Sequence, residues 1–182
     1  MKIYLIRHGI TQGNLEQRYV GQSDIPLCEQ GIEALRQGSY PPVDAVYASP
    51  LQRALQTAAI LYPDQPAKPI EKLKEIHFGI FENRHYSEMR DCQPYRDWLD
   101  SQCTTPIPGG ESFASFTKRS LEGFGEVIKE ALAEGNESIA IVAHGGTIRS
   151  ILMTYVDPQK GFYDWQIDNG AVIELEDSIC RK

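Results

Sequence analysis

Lys2-Ile3-Tyr4-Leu5-Ile6-Arg7-His8-Gly9 is the stretch whose reading decides the fold. An apolar run of strand length stops abruptly at an arginine, a histidine and a glycine. A short continuous apolar run bounded by a turn signal reads as a strand covered on both faces. The same grammar returns twice. Asp44-Ala45-Val46-Tyr47-Ala48 stops at Ser49-Pro50 and passes into a helical pattern through about Tyr62, with Leu51, Ala54, Leu55, Ala58 and Leu61 on one face. There Ser49 is the expected N-cap and Pro50 suits the first helical position. Ser138-Ile139-Ala140-Ile141-Val142-Ala143 stops at His144-Gly145-Gly146 and passes into a helix from Thr147 to about Tyr155. Buried strands alternating with helices predict an α/β fold, a three-layer α/β/α sandwich around a largely parallel central sheet.

Outward from these units, helices are expected near Glu29–Gly38 and Ser112–Glu134, and a last strand through Ala171-Val172-Ile173-Glu174-Leu175. The stretch 84–110 differs. It is polar, carries Tyr86, Tyr95 and Trp98, and closes with Thr104-Thr105-Pro106-Ile107-Pro108-Gly109-Gly110. It reads as a small lid inserted over the sheet edge, with Gly109-Gly110 as a candidate hinge. Residues 1–182 then form one domain, which their number suits.

The chain carries a net charge of −7, which argues against general binding to nucleic acid or anionic membranes. An acidic protein still binds an anion where its site is locally basic. The first apolar run is too short for a signal-peptide core, and no run approaches the ~20 apolar residues of a membrane helix. The chain therefore reads as cytoplasmic. Cys28, Cys92, Cys103 and Cys180 show neither CxxC spacing nor paired histidines, so reduced, scattered thiols are expected rather than disulfides or a zinc site.

In open parallel sheets, ligands bind beyond the carboxyl ends of the strands. His8 and His144 each stand at such an end, and neighbouring strands lie about 4.8 Å apart, so the two rings meet if their strands are adjacent. Arg53 falls on the first turn of the helix after Ser49-Pro50, among free backbone N–H groups. Arg7 adjoins His8. Two guanidinium forks and two imidazoles around one point make a pocket for dianionic phosphate, because the forks match its oxygens in geometry and charge. Each of these residues taken alone has an ordinary structural explanation; their convergence on one sheet edge is what points to chemistry.

Leu5-Ile6-Arg7-His8-Gly9-Ile10-Thr11 with Asn14, Ser49-Pro50-Leu51-Gln52-Arg53-Ala54-Leu55-Gln56-Thr57-Ala58, and Ala143-His144-Gly145-Gly146 resemble the histidine phosphatase superfamily, the phosphoglycerate mutase-like phosphatases. Pro26-Leu27 with Gly31, Leu73-x-Glu75-Ile76-x-Phe78-Gly79-x-Phe81-Glu82 and Gly110-Glu111-Ser112 match in the same order. The resemblance implies that His8 takes the phosphoryl group and passes it to water. For that the ring must be neutral, and nearby arginines favour the neutral form. Arg7, Arg53 and His144 would hold the equatorial oxygens, and Asn14 would donate a further bond. Gly21, Gln22 and Gly145 are expected at the substrate phosphate. Glu75 matches the position of the general acid, which must carry its proton near neutral pH; burial and an approaching anion both favour that. No metal or cofactor is implied, because the arginines balance the charge. Glu111 and Ser112 are expected to cap a helix, Glu82 to orient its loop, and His77 to wall the pocket.

Two departures from the family pattern stand out. Cys28 replaces the usual threonine or serine and should alter a helix cap rather than catalysis. Asn83-Arg84-His85-Tyr86 replaces a common glycine and marks Arg84 and His85 as candidate specificity residues.

The short insert favours a phosphatase over a cofactor-dependent mutase, whose clamping insertions are larger. Residues 78–85 resemble α-ribazole phosphatase-like members, which act in cobalamin assembly, and the lid aromatics suit a flat base. A broad-specificity or sugar-phosphate phosphatase, a phosphoglycerate mutase and a non-catalytic phospho-ligand binder are the other readings. The expected partner is a small phosphorylated substrate, and the protein a monomer or homodimer.

Overall fold

In a computed structural model, which describes residues 1–175, five strands form one sheet: β1 (Lys2–Arg7), β2 (Ala45–Ala48), β3 (Lys68–Pro69), β4 (Ser138–Ala143) and β5 (Val172–Leu175). Their order is β3-β2-β4-β1-β5. All neighbours are parallel except β5, which runs antiparallel beside β1. The register pairs Arg7 with Ala143 and Ala48 with Val142, so β1, β2 and β4 end almost level.

Alternation along the strands builds the layers. Ile3, Leu5, Ile139 and Ile141 face α5 (Phe113–Ala133) and α6 (Gly145–Tyr155), in a core with Phe124, Val127, Ile148 and Ile151. Tyr4, Ile6, Ala140 and Val142 face the other way, onto Ala54 and Ala58 of α3 (Gln52–Leu61), which packs beside α2 (Glu29–Gln37). Each fully buried Ile or Leu contributes about 1.5–3 kcal/mol of burial. Small alanines on α3 let that helix lie close to the sheet, which holds Arg53 near the strand ends.

The helix predicted from Pro50 instead begins at Gln52, and Ser49 does not cap it. The cap comes from elsewhere in the chain: Oδ1 of Asp24 accepts from the Gln52 amide at 2.6 Å. The second strand-end helix begins two residues earlier than expected, at Gly145, with His144 in the cap position. Ser112 caps α5 by accepting from the Ser115 amide at 3.1 Å. Cys28 occupies the cap position of α2 without a side-chain hydrogen bond, so the cap is altered as expected. Two short helices escaped the sequence reading: α1 (Gln12–Leu15), capped by Thr11, and α4 (Gln93–Asp100) inside the lid.

The lid packs its own cluster, with Phe81, Met89, Tyr95, Trp98, Ile107 and Phe116 buried together. Of its three aromatics only Trp98 lines a cavity; Tyr95 is buried with its hydroxyl on Tyr19 at 2.9 Å, and Tyr86 is 44% exposed. Gly109-Gly110 is no free hinge. A Cβ on Gly110 would stand 2.3 Å from the His77 carbonyl, and the Ile80 amide donates to the Pro108 carbonyl at 3.1 Å, so the segment is fastened against residues 77–80.

Among the described residues no helix is long and apolar enough to cross a membrane. Cys28, Cys92 and Cys103 are free thiols, and Cys180 lies outside the described residues.

Candidate active site

His8 leaves β1 at its carboxyl end and His144 leaves β4 at the same level. Their ring centroids lie 5.1 Å apart, edge to face. Both rings are buried, at 4% and 0% exposure. His8 Nδ1 contacts the Gly9 carbonyl at 2.7 Å. A carbonyl only accepts, so Nδ1 carries the proton and Nε2 keeps its lone pair. That Nε2 faces Nε of Arg53 at 3.3 Å. Burial, and next the Arg53 guanidinium, hold the His8 imidazole well below its ordinary value. The Gly9 carbonyl opposes this and Arg7 adds to it. The ring is therefore neutral at physiological pH.

Arg53 is 1% exposed and aimed by carbonyls from a remote loop. Its Nη2 donates to Gly21 at 2.6 Å and Nη1 to Ser23 at 2.9 Å. Gly21 adopts φ +54°, and a Cβ there would stand 2.2 Å from Glu82 Oε1. Glu82 orients this loop, accepting from the amides of Gln22, Ser23 and Phe78. Thr57 ties α3 to the His8 turn: its hydroxyl accepts from the Gly9 amide at 3.0 Å and donates to the Arg53 carbonyl at 2.6 Å.

Arg7 donates through Nη1 to the Ile167 carbonyl at 2.5 Å, and its buried Nε has no hydrogen-bond partner among the described residues. Gly145 lies beside that Nε, where a Cβ would stand at an ordinary contact distance of 3.5 Å. His144 Nε2 contacts the Ser49 hydroxyl at 2.7 Å, while its buried Nδ1 has no partner among the described residues. Burial, then Arg53, His8 and Arg7, hold this ring too well below its ordinary value. Burial also lowers the Arg7 and Arg53 guanidinium values, against the pull of Glu75, yet a guanidinium stays charged. Two buried nitrogens without a partner among the described residues, Arg7 Nε and His144 Nδ1, together with the charges of Arg7 and Arg53 make a cradle suited to an anion.

Glu75 stands across the same cavity. Its Oε1 accepts from the Ile76 amide and its Oε2 from the Gly146 amide, both at 2.9 Å. Glycine at 146 leaves room for this carboxyl where it stands, because a Cβ would lie 2.3 Å from Glu75 Oε1 and displace it. The segment bearing Glu75 is held by Arg119, whose guanidinium donates to the carbonyls of Lys72, Lys74 and Glu75 and pairs with Glu111 at 2.8 Å. Glu111 thus anchors Arg119 and accepts from the His77 amide; it caps no helix.

One cavity of about 250 Å³ joins Arg7, His8, Asn14, Gly21, Arg53, Glu75 and Gly145. Asn14 Oδ1 accepts from the Thr11 amide and from Asn169, which leaves Nδ2 as its donor. Gln22 and His77 lie outside this cavity, on a polar cleft behind Glu75, and Gln22 Nε2 donates to the Glu75 carbonyl at 3.0 Å. Arg84 and His85 are not brought to the cavity either. Arg84 donates to the Glu88 carbonyl, and the His85 ring lies tilted against Tyr86, with centroids 4.1 Å apart. Sequence reasoning missed Ser49 as a partner of His144, Asn169, and Arg149, which lines the cavity. Arg149 lies four residues after Gly145 on α6, a helical spacing that places it on the same face.

A second, apolar cavity of about 270 Å³ opens beside the first, shares Tyr19, Glu75, Phe78, Gly146 and Arg149 with it, and is walled further by Trp98, Phe113, Phe116, Phe162 and Tyr163.

A buried dianion cradle with a bare imidazole nitrogen on one side and a carboxyl on the other defines a phosphoryl-transfer centre. The chain belongs to the histidine phosphatase superfamily (branch 1), whose family model matches residues 3–178. An adenosylcobalamin/α-ribazole phosphatase of Escherichia coli strain K12 is 30% identical, over 94% of this chain and 87% of that protein. A 2,3-bisphosphoglycerate-dependent phosphoglycerate mutase 2 of Gloeobacter violaceus is 35% identical over 83% of this chain and 74% of its own length. Among solved structures, an α-ribazole phosphatase from Shigella flexneri superposes with a TM-score of 0.83 at 27% identity, covering 97% of this chain and 90% of that one.

Proposed function

We propose that the protein hydrolyses a phosphomonoester through a phosphohistidine formed at Nε2 of His8. The observation that carries this reading is the fixed tautomer: Nδ1 is committed to the Gly9 carbonyl, so the lone pair lies on the nitrogen facing Arg53. In the first step that lone pair forms the N–P bond, the ester P–O bond breaks, and Glu75 gives its proton to the leaving oxygen. Glu75, now a carboxylate, then takes a proton from water as the water oxygen bonds to phosphorus, and the N–P bond breaks. Arg7, Arg53, His144 and the Asn14 amide hold the three non-bridging oxygens throughout, which is electrostatic positioning. Gly21 serves by its carbonyl on Arg53, and Gly145 lines the cradle beside Arg7.

The substrate reading is α-ribazole 5′-phosphate. It is supported by the Escherichia coli and Shigella relatives and by the apolar cavity beside Glu75, where Trp98 and Phe78 offer faces to a flat base. We read the enzyme as a single-domain cytoplasmic protein, monomer or homodimer, acting on a small metabolite without nucleic acid or membrane.

The test has two arms. His8→Ala should keep the fold and lose turnover together with any acid-labile phosphoryl label; undiminished hydrolysis would overturn the mechanism. In a panel of α-ribazole 5′-phosphate, nucleoside monophosphates, sugar phosphates, 3-phosphoglycerate and p-nitrophenyl phosphate, the first should lead by a hundredfold in kcat/KM, about 2.7 kcal/mol. A flat profile would leave the mechanism standing and remove the substrate assignment.

A further inference from the structure

Arg149 is a half-buried cation that the chemistry above does not use. It lines both cavities, at the seam where a leaving group passes from the phosphate cradle into the apolar chamber. Its Nε is anchored on the Trp165 carbonyl at 3.0 Å, and its guanidinium lies over the Phe162 ring at 5.7 Å. Among the described residues no carboxylate pairs with it, and its two terminal nitrogens make no hydrogen bond. The reacting phosphoryl group does not need it, since Arg7, Arg53, His144 and Asn14 already surround that group.

We propose that Arg149 is a specificity-determining residue that donates hydrogen bonds to neutral oxygens, such as ring hydroxyls, on the leaving alcohol within a few bonds of the ester oxygen. The inference rests on the phosphatase reading above and deepens it. Three observations choose neutral oxygens over a carboxylate. The carbonyl of Trp165 and the face of Phe162 already supply partial negative charge to the guanidinium. Glu75 lines the same seam, and once it has given up its proton it repels a second carboxylate. Beyond Arg149 the chamber walls are aromatic, with Trp98, Phe113 and Phe116, so whatever follows the polar atoms is apolar. The site therefore reads its substrate in three zones: a dianion on His8, hydroxyl-bearing carbons at Arg149, and a flat apolar end against Trp98. The bond from Nε to the Trp165 carbonyl and the contact with the Phe162 ring hold the guanidinium before substrate arrives, which lowers the ordering cost of each bond.

The experiment compares kcat/KM for ribose 5-phosphate, phenyl phosphate and phosphoserine in the full-length protein and in Arg149→Met and Arg149→Lys, with the thermal midpoint of each. Ribose 5-phosphate carries ring oxygens and no aromatic end, phenyl phosphate the reverse, and phosphoserine a carboxylate. In Arg149→Met the ratio of ribose 5-phosphate to phenyl phosphate should fall at least tenfold, and Arg149→Lys, which keeps the charge but loses the fork, should recover only part of it. Equal losses on all three esters would assign Arg149 to the phosphoryl group and overturn the proposal. So would a loss confined to phosphoserine, or none. If Arg149→Met is too unstable to assay, the same ratio is read from Arg149→Lys alone. The ratio is independent of whether α-ribazole phosphate leads the substrate panel, so the two readings fail separately.

Discussion

The Ser49 hydroxyl and Nε2 of His144 meet at 2.7 Å, both fully buried, across the carboxyl ends of β2 and β4. The contact follows from the register, since the Ser49 amide continues the β2–β4 ladder by donating to Val142. A hydroxyl both donates and accepts; when Ser49 donates to Nε2, the His144 proton sits on Nδ1, which has no hydrogen-bond partner among the described residues and is left to donate to an anion. Ser49, which resembles a helix cap in the sequence, is thus in place to bias the tautomer of His144.

Ser49→Ala removes that bond and frees the ring to adopt the other tautomer. The expected result is a roughly tenfold fall in kcat, about 1.4 kcal/mol, together with weaker inhibition by inorganic phosphate. Ser49→Thr, which keeps a hydroxyl, should recover part of the rate. Steady-state kinetics of the two variants check this; equal losses in both would mean that packing, not the hydroxyl, is responsible.

That relationship also marks where sequence reading stops. The three strands, the alternating faces and the Ser112 cap were legible because each depends on neighbours within a few residues. His8, Arg7, Arg53 and His144 were placed together because parallel strands end at one edge. The Ser49–His144 bond joins residues 95 positions apart, and Asp24 caps a helix 28 residues away. No local pattern separates a capping serine from a relay serine, or a surface aspartate from a remote cap. The lid shows the same limit: its aromatic content was visible, but which ring faced the cavity depended on how Tyr95 and Phe81 packed beneath it.

Arg119 is a positioning residue for Glu75. It never meets the substrate cavity, yet its fork spans the Lys72, Lys74 and Glu75 carbonyls and the Glu111 carboxylate. Arg119→Met should slow an alkyl phosphate by tenfold or more while slowing p-nitrophenyl phosphate less than about threefold, because the nitrophenolate leaves without a proton. A merely structural role would depress both alike. Glu75→Gln should show the same asymmetry more strongly, and Arg119→Lys should fall between.

Gly146→Ala places a methyl 2.3 Å from Glu75 Oε1 and 3.1 Å from Phe116. The carboxyl group must give way, since the helix backbone cannot. Stability should drop by about 1–3 kcal/mol, and turnover of alkyl phosphates should fall at least tenfold. Affinity for inorganic phosphate should change far less, because Arg7, Arg53 and His144 are untouched. Calorimetric phosphate binding beside a denaturation curve separates the two effects; a matching loss of phosphate affinity would place the damage in the cradle.

Stability should depend on pH through the same two histidines. Burial and Arg53 hold both rings neutral, with values well below 6.5 in the folded chain. Unfolded, each protonates at about pH 6.5. Between that value and the folded one, the unfolded state binds protons that the folded state refuses, so stability falls as pH falls. Above about pH 7.5 neither ring contributes to the slope. Asp44 and Glu111, whose carboxyls are held below their ordinary values, add their losses only at more acidic pH. In phosphate-free buffer, the urea midpoint should therefore be level above about pH 7.5 and decline from about 7 to 5, with each histidine contributing a slope of at most about 1.4 kcal/mol per pH unit. Phosphate must be left out because it binds only the folded cradle and would mask the trend. His144→Asn should roughly halve the slope whatever its effect on overall stability. A midpoint that stays level down to pH 5 would mean that the rings accept protons in the folded protein, and a protonated His8 has no lone pair with which to attack phosphorus.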